Sequence, residues 1–131
     1  LDPIRHDQGT IADFVVATLE ALPPNAVLVD DGSTYYQFLW VQAQQKLRPD
    51  VTVKLLAQPL MPGYGDTPHA LAMELHWRLA PRPCFAVANS AAVQQMVAAL
   101  TPFGWEAYPF SLAEKRAIVV LTCQNRAKLT E

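Results

Sequence analysis

The chain has 131 residues, of which 51% are hydrophobic and 17% charged, and its 10 Lys and Arg residues against 12 Asp and Glu residues give a net charge of −2. This composition and length predict one globular domain and argue against both intrinsic disorder and a small disulfide scaffold. With no basic surplus and no cluster of Lys and Arg, a nucleic-acid partner is not expected. Uninterrupted apolar runs, such as residues 26–29 and 117–121, are far shorter than a membrane span, so we expect a soluble chain.

The N-terminal third predicts a helix followed by a buried strand. Thr10, with Asp13 three residues later, is typical of a helix N-cap, and the two prolines from Pro23 end the helix. The apolar residues that recur at steps of three and four are Ile11, Phe14, Val15, Leu19 and Leu22. Residues 26–29 then form a short continuous apolar run, as expected for a strand covered on both faces.

A second helix and a second strand follow. The second helix is predicted over residues 33–47 and ends at Arg48 and Pro49. Its predicted inward stripe is Tyr36, Leu39, Trp40, Ala43 and Leu47. Residues 51–56, rich in β-branched side chains, predict the second strand.

The next segment is a loop that leads into a third helix. Residues 58–67 contain two prolines and two glycines, so they predict an irregular loop, and long loops at strand ends often bind ligands. Asp66 or Thr67 is expected to cap the third helix, with Pro68 at its first position. Its inward residues are predicted to be Leu71, Leu75 and Leu79, and it should end at Pro81.

The last part of the chain predicts one more crossover and a hairpin. Residues 84–88 are expected to be the third strand, and Asn89 or Ser90 should open the fourth helix. Its inward residues are predicted to be Val93, Met96, Val97 and Leu100. Residues 105–110 and 117–123 are two extended segments, and the six residues between them are too few for a parallel return, so we expect an antiparallel pair.

Together these elements predict an α/β fold. We expect a three-layer Rossmann-like sandwich with a mostly parallel sheet of about five strands and a C-terminal antiparallel pair. Residues 1–124 should form a single α/β domain, and residues 125–131 a C-terminal tail. Because the first residue is Leu1 and not Met, we expect the chain to be a fragment or a processed product of a longer protein.

Polar residues follow the strands at the edge where open parallel sheets bind ligands. The candidate ligand-binding residues are Asp30, Asp31, Gly32, Ser33, Thr34, Tyr64, Asp66 and Asn89. The alternative is that Asp31 or Ser33 simply caps the second helix while Asp30 is solvated.

No catalytic, metal or cofactor motif is complete. Gly32 stands alone where a dinucleotide-binding turn needs three glycines, and two adjacent acids in a strand point to opposite faces, which disfavours a shared metal. His69 and His76 lack zinc-protease spacing and are expected at the surface, and Ser90 is not in a nucleophile elbow. We therefore predict no catalytic residue, no metal and no cofactor.

The cysteines and tryptophans are expected to be packing residues. Cys84 and Cys123 lie in apolar, strand-like contexts outside any C-x-x-C motif, so buried thiols are expected, with a disulfide as the alternative. For Trp40, Trp77 and Trp105 we expect core or interface packing, with a carbohydrate platform as the alternative.

Several segments resemble one known family. The stretch from Leu22 to Gly32 reads LPPNAVLVDDG, and residues 38–40, 48–53 and 82–86 read FLW, RPDVTV and RPCFA. These segments are similar to the soluble tail of polytopic membrane proteins of the O-mannosyltransferase-like kind, in the glycosyltransferase C superfamily. The sequence departs from the family at its Asn/Asp-rich turn, which is reduced here to the five residues that begin at Asp30.

The resemblance implies an extracytoplasmic domain that follows a bundle of membrane helices. In that family the catalytic acid lies in a loop of the membrane part and the donor is a lipid-linked sugar, so no catalytic residue is carried over to this chain. The expected role is a non-catalytic accessory domain, with the membrane-embedded part of the parent protein as partner and a glycan or polypeptide acceptor as possible ligand. The alternatives are a small nucleotide- or nucleotide-sugar-binding enzyme of Rossmann-like fold and a protein interaction module.

Overall fold

The structure is a computed structural model that describes residues 11–32, 34–57, 65–87, 90–110 and 118–123. Within these ranges, none of the helices has the length and apolar character needed to cross a bilayer. The predicted domain limits at residues 1–124 and the tail at 125–131 fall partly or wholly outside the described residues.

Four helices and five strands alternate as the sequence predicts. The helices are α1 (Ile11–Ala21), α2 (Tyr35–Gln45), α3 (Pro68–Glu74) and α4 (Ala91–Leu100), and the strands are β1 (Val27–Asp30), β2 (Thr52–Leu55), β3 (Cys84–Val87), β4 (Trp105–Phe110) and β5 (Ile118–Cys123). The third helix differs from expectation, because a π-helical turn at Leu75–Leu79 follows α3 before Pro81.

The five strands form one mixed sheet in the order β2-β1-β3-β5-β4. Strand β1 pairs in parallel with β2 and β3, whereas β5 pairs antiparallel with both β3 and β4. The predicted C-terminal antiparallel pair is therefore confirmed. The prediction of a mostly parallel sheet is wrong, because β5 lies between β3 and β4 and two of the four strand pairings are antiparallel.

The sheet is packed on both faces. Side chains alternate along a strand, so Val27 and Val29 of β1 join one core cluster while Leu28 joins the other. The first cluster contains buried residues of α3 and α4, such as Leu71 and Met96, and the second contains residues of α1 and α2. All four residues of β1 are fully buried, as expected for a strand that lies in the middle of the sheet.

The inward face of α2 is only partly the one that the sequence predicts, because Leu39 and Leu47 pack against the core but the other three predicted residues are exposed. Phe38 and Val41 are buried, whereas Tyr36 is 66% and Trp40 61% exposed, and Ala43 is also exposed. The ring of Phe38 contacts that of Phe14 on α1, at a centroid distance of 6.2 Å. Large aromatic side chains lie on both faces of this helix, so the spacing alone favoured the wrong one.

Near the starts of β1 and β2, the side chain of Arg48 caps the C-terminus of α1. Its guanidinium donates to the carbonyl oxygens of Leu19, Leu22 and Pro23, at 2.7, 2.6 and 3.0 Å. The same group forms a two-pronged ion pair with Asp50, at 3.1 and 3.0 Å. These bonds satisfy carbonyls that a helix end leaves free, and the hydrogen bonds from Arg48 hold the pKa of Asp50 well below its usual range.

A second arginine ties the starts of the strands together. Arg82 donates to the carbonyl of Asn25 at 2.8 Å and to the hydroxyl of Thr52 at 2.9 Å, with longer bonds to the carbonyls of Ala26 and Asp50. The R-P-D and R-P-C segments that carry the family resemblance therefore have a structural role in this chain.

The orientation of α2 is testable by a pair of alanine substitutions. Phe38→Ala should lower the free energy of unfolding by about 3–5 kcal/mol, because a large buried ring is lost. Trp40→Ala should change it by less than about 0.5 kcal/mol, because that side chain is mostly exposed. Urea unfolding of both variants measures the difference, and equal losses would contradict this orientation.

Candidate functional site

The candidate site lies where the carboxyl ends of β1 and β3 meet. From β1 the chain crosses through α2 to β2 on one side, and it later returns to place β3 on the other side of β1. A reversal of this kind leaves a crevice beyond the two strand ends, which is the usual ligand position in open α/β sheets. Of the predicted site residues, the structure brings together Asp30, Asp31, Gly32 and Thr34 at this point.

The carboxylate of Asp30 is fully buried and bonded on both oxygens. One oxygen accepts a hydrogen bond from the Gly32 amide at 3.0 Å, and the other accepts one from the Thr34 hydroxyl. The backbone carbonyl of Asp30 accepts a third bond from the amide of Leu56, at 2.8 Å. The alternative in which Asp30 is solvated is therefore wrong, since its exposed fraction is 0%.

The surroundings of Asp30 raise the pKa of its carboxyl above the ordinary value of 3.8. Burial is the largest cause, because removal from water disfavours the charged form. The bonds from Thr34 and Gly32 oppose this effect, and the adjacent Asp31 carboxylate, itself only 7% exposed, adds to it. The result is a carboxyl group that the fold keeps partly desolvated and close to a second acid.

The turn after β1 depends on Gly32 and Thr34. Gly32 has a φ of +111°, a conformation that residues with a Cβ rarely adopt. Thr34 occupies the N-cap of α2, in place of the predicted Asp31 or Ser33. Its hydroxyl donates to Asp30 and makes no cap bond to the helix. Ser33 itself lies outside the described residues.

Asp66 does not join the Asp30 cluster. It pairs along the outer side of β2, with its amide and carbonyl bonded to Leu55 and Ala57 at 3.0 and 2.7 Å. Gly65 makes this close pairing possible, since a Cβ at that position would lie 2.7 Å from the Leu55 carbonyl oxygen. The carboxylate of Asp66 lies 4.0 Å from Lys54. Two other predicted site residues, Tyr64 and Asn89, lie outside the described residues.

Hydroxyl groups near the other strand ends are used as helix caps. The Ser90 side chain accepts from the amide of Val93 at 3.2 Å, and the Thr67 side chain accepts from the amide of Ala70 at 3.1 Å. Both caps were among the alternatives that the sequence predicts. Within the described ranges, no group of three or more His, Cys, Asp or Glu residues is placed to hold a metal ion.

The histidine and cysteine predictions have mixed outcomes. His69 is exposed as expected, but His76 is only 6% exposed and its Nδ1 accepts a hydrogen bond from the indole of Trp105 at 3.0 Å. Because Nδ1 is the acceptor, the neutral ring carries its proton on Nε2. Cys84 is buried as predicted, while the side chain of Cys123 is outside the described part of the chain.

A groove on the outer side of α1 and α2 was not predicted. Tyr36, Gln37, Trp40 and Val41 of α2 and Ala12 of α1 line a space of about 600 Å³. The sequence reasoning assigned Tyr36 and Trp40 to the core, so it missed them as surface groups. Of the three tryptophans, only Trp105 is buried, and Trp40 and Trp77 are both exposed by more than half.

No match to this chain was found among protein-family models, curated proteins or solved structures.

The pKa of Asp30 predicts a pH effect on stability. Because the folded pKa is raised, the folded state binds more protons than the unfolded state above pH 3.8, so this group makes stability fall as pH rises through the folded pKa. Asn cannot ionise, and it can still accept from the Gly32 amide through Oδ1 while its Nδ2 donates to the Thr34 hydroxyl, so Asp30→Asn should abolish this fall. Urea unfolding across pH 3.5 to 8, with about half-unit steps, measures both slopes. A wild type no steeper than the variant over this interval would contradict the raised pKa.

Two buried threonines predict opposite effects of one substitution. Thr34→Val should lower the free energy of unfolding by about 1–3 kcal/mol, because the buried Asp30 carboxylate loses its hydroxyl donor. Among the described residues, the Thr18 hydroxyl is fully buried and has no hydrogen-bond partner, so Thr18→Val should raise the free energy of unfolding by about 1 kcal/mol. Thermal and urea unfolding measure the sign of each change. A Thr34→Val variant as stable as the wild type would contradict the role of the Thr34 bond, and a less stable Thr18→Val variant would contradict the cost of the unpaired hydroxyl.

Proposed function

We propose that this chain is a non-catalytic accessory domain of a membrane-bound glycosyltransferase-like protein. In this proposal it lies on the extracytoplasmic face, contacts the membrane-embedded part of its parent and takes part in binding a glycan or polypeptide acceptor. The family resemblance of the LPPNA, R-P-D and R-P-C segments supports this assignment. In the structure, Arg48 and Arg82 of these segments bond to the end of α1 and to the segments that lead into β1 and β2.

The observation that carries the non-catalytic role is the state of Asp30. A carboxylate that serves as a base, a nucleophile or a metal ligand must present an oxygen to its substrate. Both oxygens of Asp30 are instead bonded to the turn that follows it, and the whole side chain is buried. Asp30, at the end of β1, therefore stabilises the turn that leads into α2.

We extend the proposal to the architecture and regard the fold as a Rossmann-like three-layer sandwich. Helices α1 and α2 contribute to one core cluster and α3 and α4 to the other, which supports a helical layer on each side of the sheet. The reversal of strand order at β1 and β3 is also a property of Rossmann-like folds.

The membrane attachment is tested by the gene. Reading the coding sequence upstream of the Leu1 codon should reveal about ten apolar segments of ~20 residues each, which is the length of a membrane-spanning helix. An upstream region that encodes no such segments would contradict the accessory-domain proposal.

Calorimetry tests whether the chain binds nucleotides. Titration of the chain with ATP, NAD and UDP-glucose should give no saturable heat at millimolar ligand, because the strand-end acids are bonded internally and would repel phosphates. An Asp31→Ala variant is the matched control. Saturable binding that this variant loses would favour the alternative of a small nucleotide- or nucleotide-sugar-binding enzyme.

A further inference from the structure

The outer face of α2 carries two exposed aromatic side chains four residues apart. Tyr36 and Trp40 therefore lie on the same side of the helix, about 6 Å apart along its axis. The ring of Tyr36 is held by an edge contact with Tyr35, whose ring centroid is 5.0 Å away and whose side chain packs against the core. The Tyr36 ring thus has a neighbour that restricts its orientation before any ligand arrives.

The described residues that line this groove include no charged side chain. The eleven residues of α2 read YYQFLWVQAQQ and contain no Lys, Arg, His, Asp or Glu, and the remaining lining residue of the groove is Ala12. Exposed helix faces of soluble proteins are normally rich in charged residues. The polar groups available in the groove are instead neutral ones, namely the Tyr36 hydroxyl, the Trp40 indole N–H and the Gln37 amide, and they suit a ligand without charge.

The shape of the groove favours a small ligand. Its volume of about 600 Å³ is within the range of small-molecule sites. A ligand that fits must be neutral, must offer an apolar face to the two rings and must carry groups that bond to an amide and a hydroxyl. Hexose sugars have this combination, because their C–H bonds form apolar faces and their hydroxyls lie around the rim.

Other ligands of aromatic grooves fit less well. The prolines of a P-x-x-P segment repeat at about 9 Å, which does not match two rings about 6 Å apart. Single-stranded nucleic acids also stack on aromatic side chains, but they require cationic residues along the groove, and the lining has none.

From these observations we infer that the groove formed by Ala12, Tyr36, Gln37, Trp40 and Val41 is a binding site for a neutral oligosaccharide. Trp40 and Tyr36 stack on the apolar faces of neighbouring sugar units, and the Gln37 amide bonds to their hydroxyls. The site is distinct from the strand ends at Asp30. It is argued from the groove alone, so it stands whether or not the domain belongs to a glycosyltransferase.

The test is titration of the chain with maltotriose, cellotriose, mannotriose and chitotriose, followed by calorimetry and by amide NMR shifts. At least one oligosaccharide should bind saturably with a Kd on the order of 1 mM or lower, and the shifts should lie in the first turns of α1 and α2. Trp40→Ala and Tyr36→Ala should each weaken binding by about tenfold or more. Trp77→Ala is the matched control, because Trp77 is 66% exposed but lies on the π-helical turn that follows α3. The affinity of this variant for the oligosaccharide should stay within about twofold of that of the wild type.

Three results would overturn the inference. They are failure of all four oligosaccharides to bind, binding that Trp40→Ala does not weaken, and preferential binding of a proline-rich decapeptide at the same residues. Circular dichroism of each variant ensures that a loss of binding is not a loss of fold. None of these results bears on the proposed membrane attachment, which the gene sequence tests separately.

Discussion

Burial of β1 on both faces is the constraint on which the site depends. A strand in the middle of the sheet ends with Asp30 still fully buried, so its carboxylate must find partners within the protein. The amide of Gly32 and the hydroxyl of Thr34 supply them, which sets the turn and the start of α2. The acidic strand end is thereby part of the fold's own framework, and this is the observation on which we base the proposed binding role.

The opposite end of the sheet is organised by two arginines. Arg48 satisfies the free carbonyls at the end of α1, and Arg82 joins the segments that lead into β1 and β2. Neither residue faces the strand ends that would hold a ligand. The chain therefore separates its roles, with charged residues fixing one end of the sheet and an uncharged aromatic face on α2 left exposed to solvent.

The sequence predicts most of the elements because their signals are local. Prolines end α1, Ser90 and Thr67 cap the helices that follow them, and continuous apolar runs mark β1 and β3. It does not predict the position of β5, because strand order depends on contacts between distant segments. It also misassigns α2, since Tyr36 and Trp40 have the same spacing and hydrophobicity as core residues, and only the packing of Phe38 against Phe14 decides which face is inward. The internal bonding of Asp30 is likewise invisible until Thr34 is placed beside it.

The most direct measurement of this account is an NMR titration of the side-chain carboxyl carbon of Asp30, assigned by comparison with the Asp30→Asn variant. The account predicts a midpoint above the ordinary 3.8 that millimolar magnesium does not move, because the group is buried and bonded within its own turn. A midpoint at or below 3.8, or one that magnesium lowers, would show a carboxylate open to solvent and ligands and would contradict it.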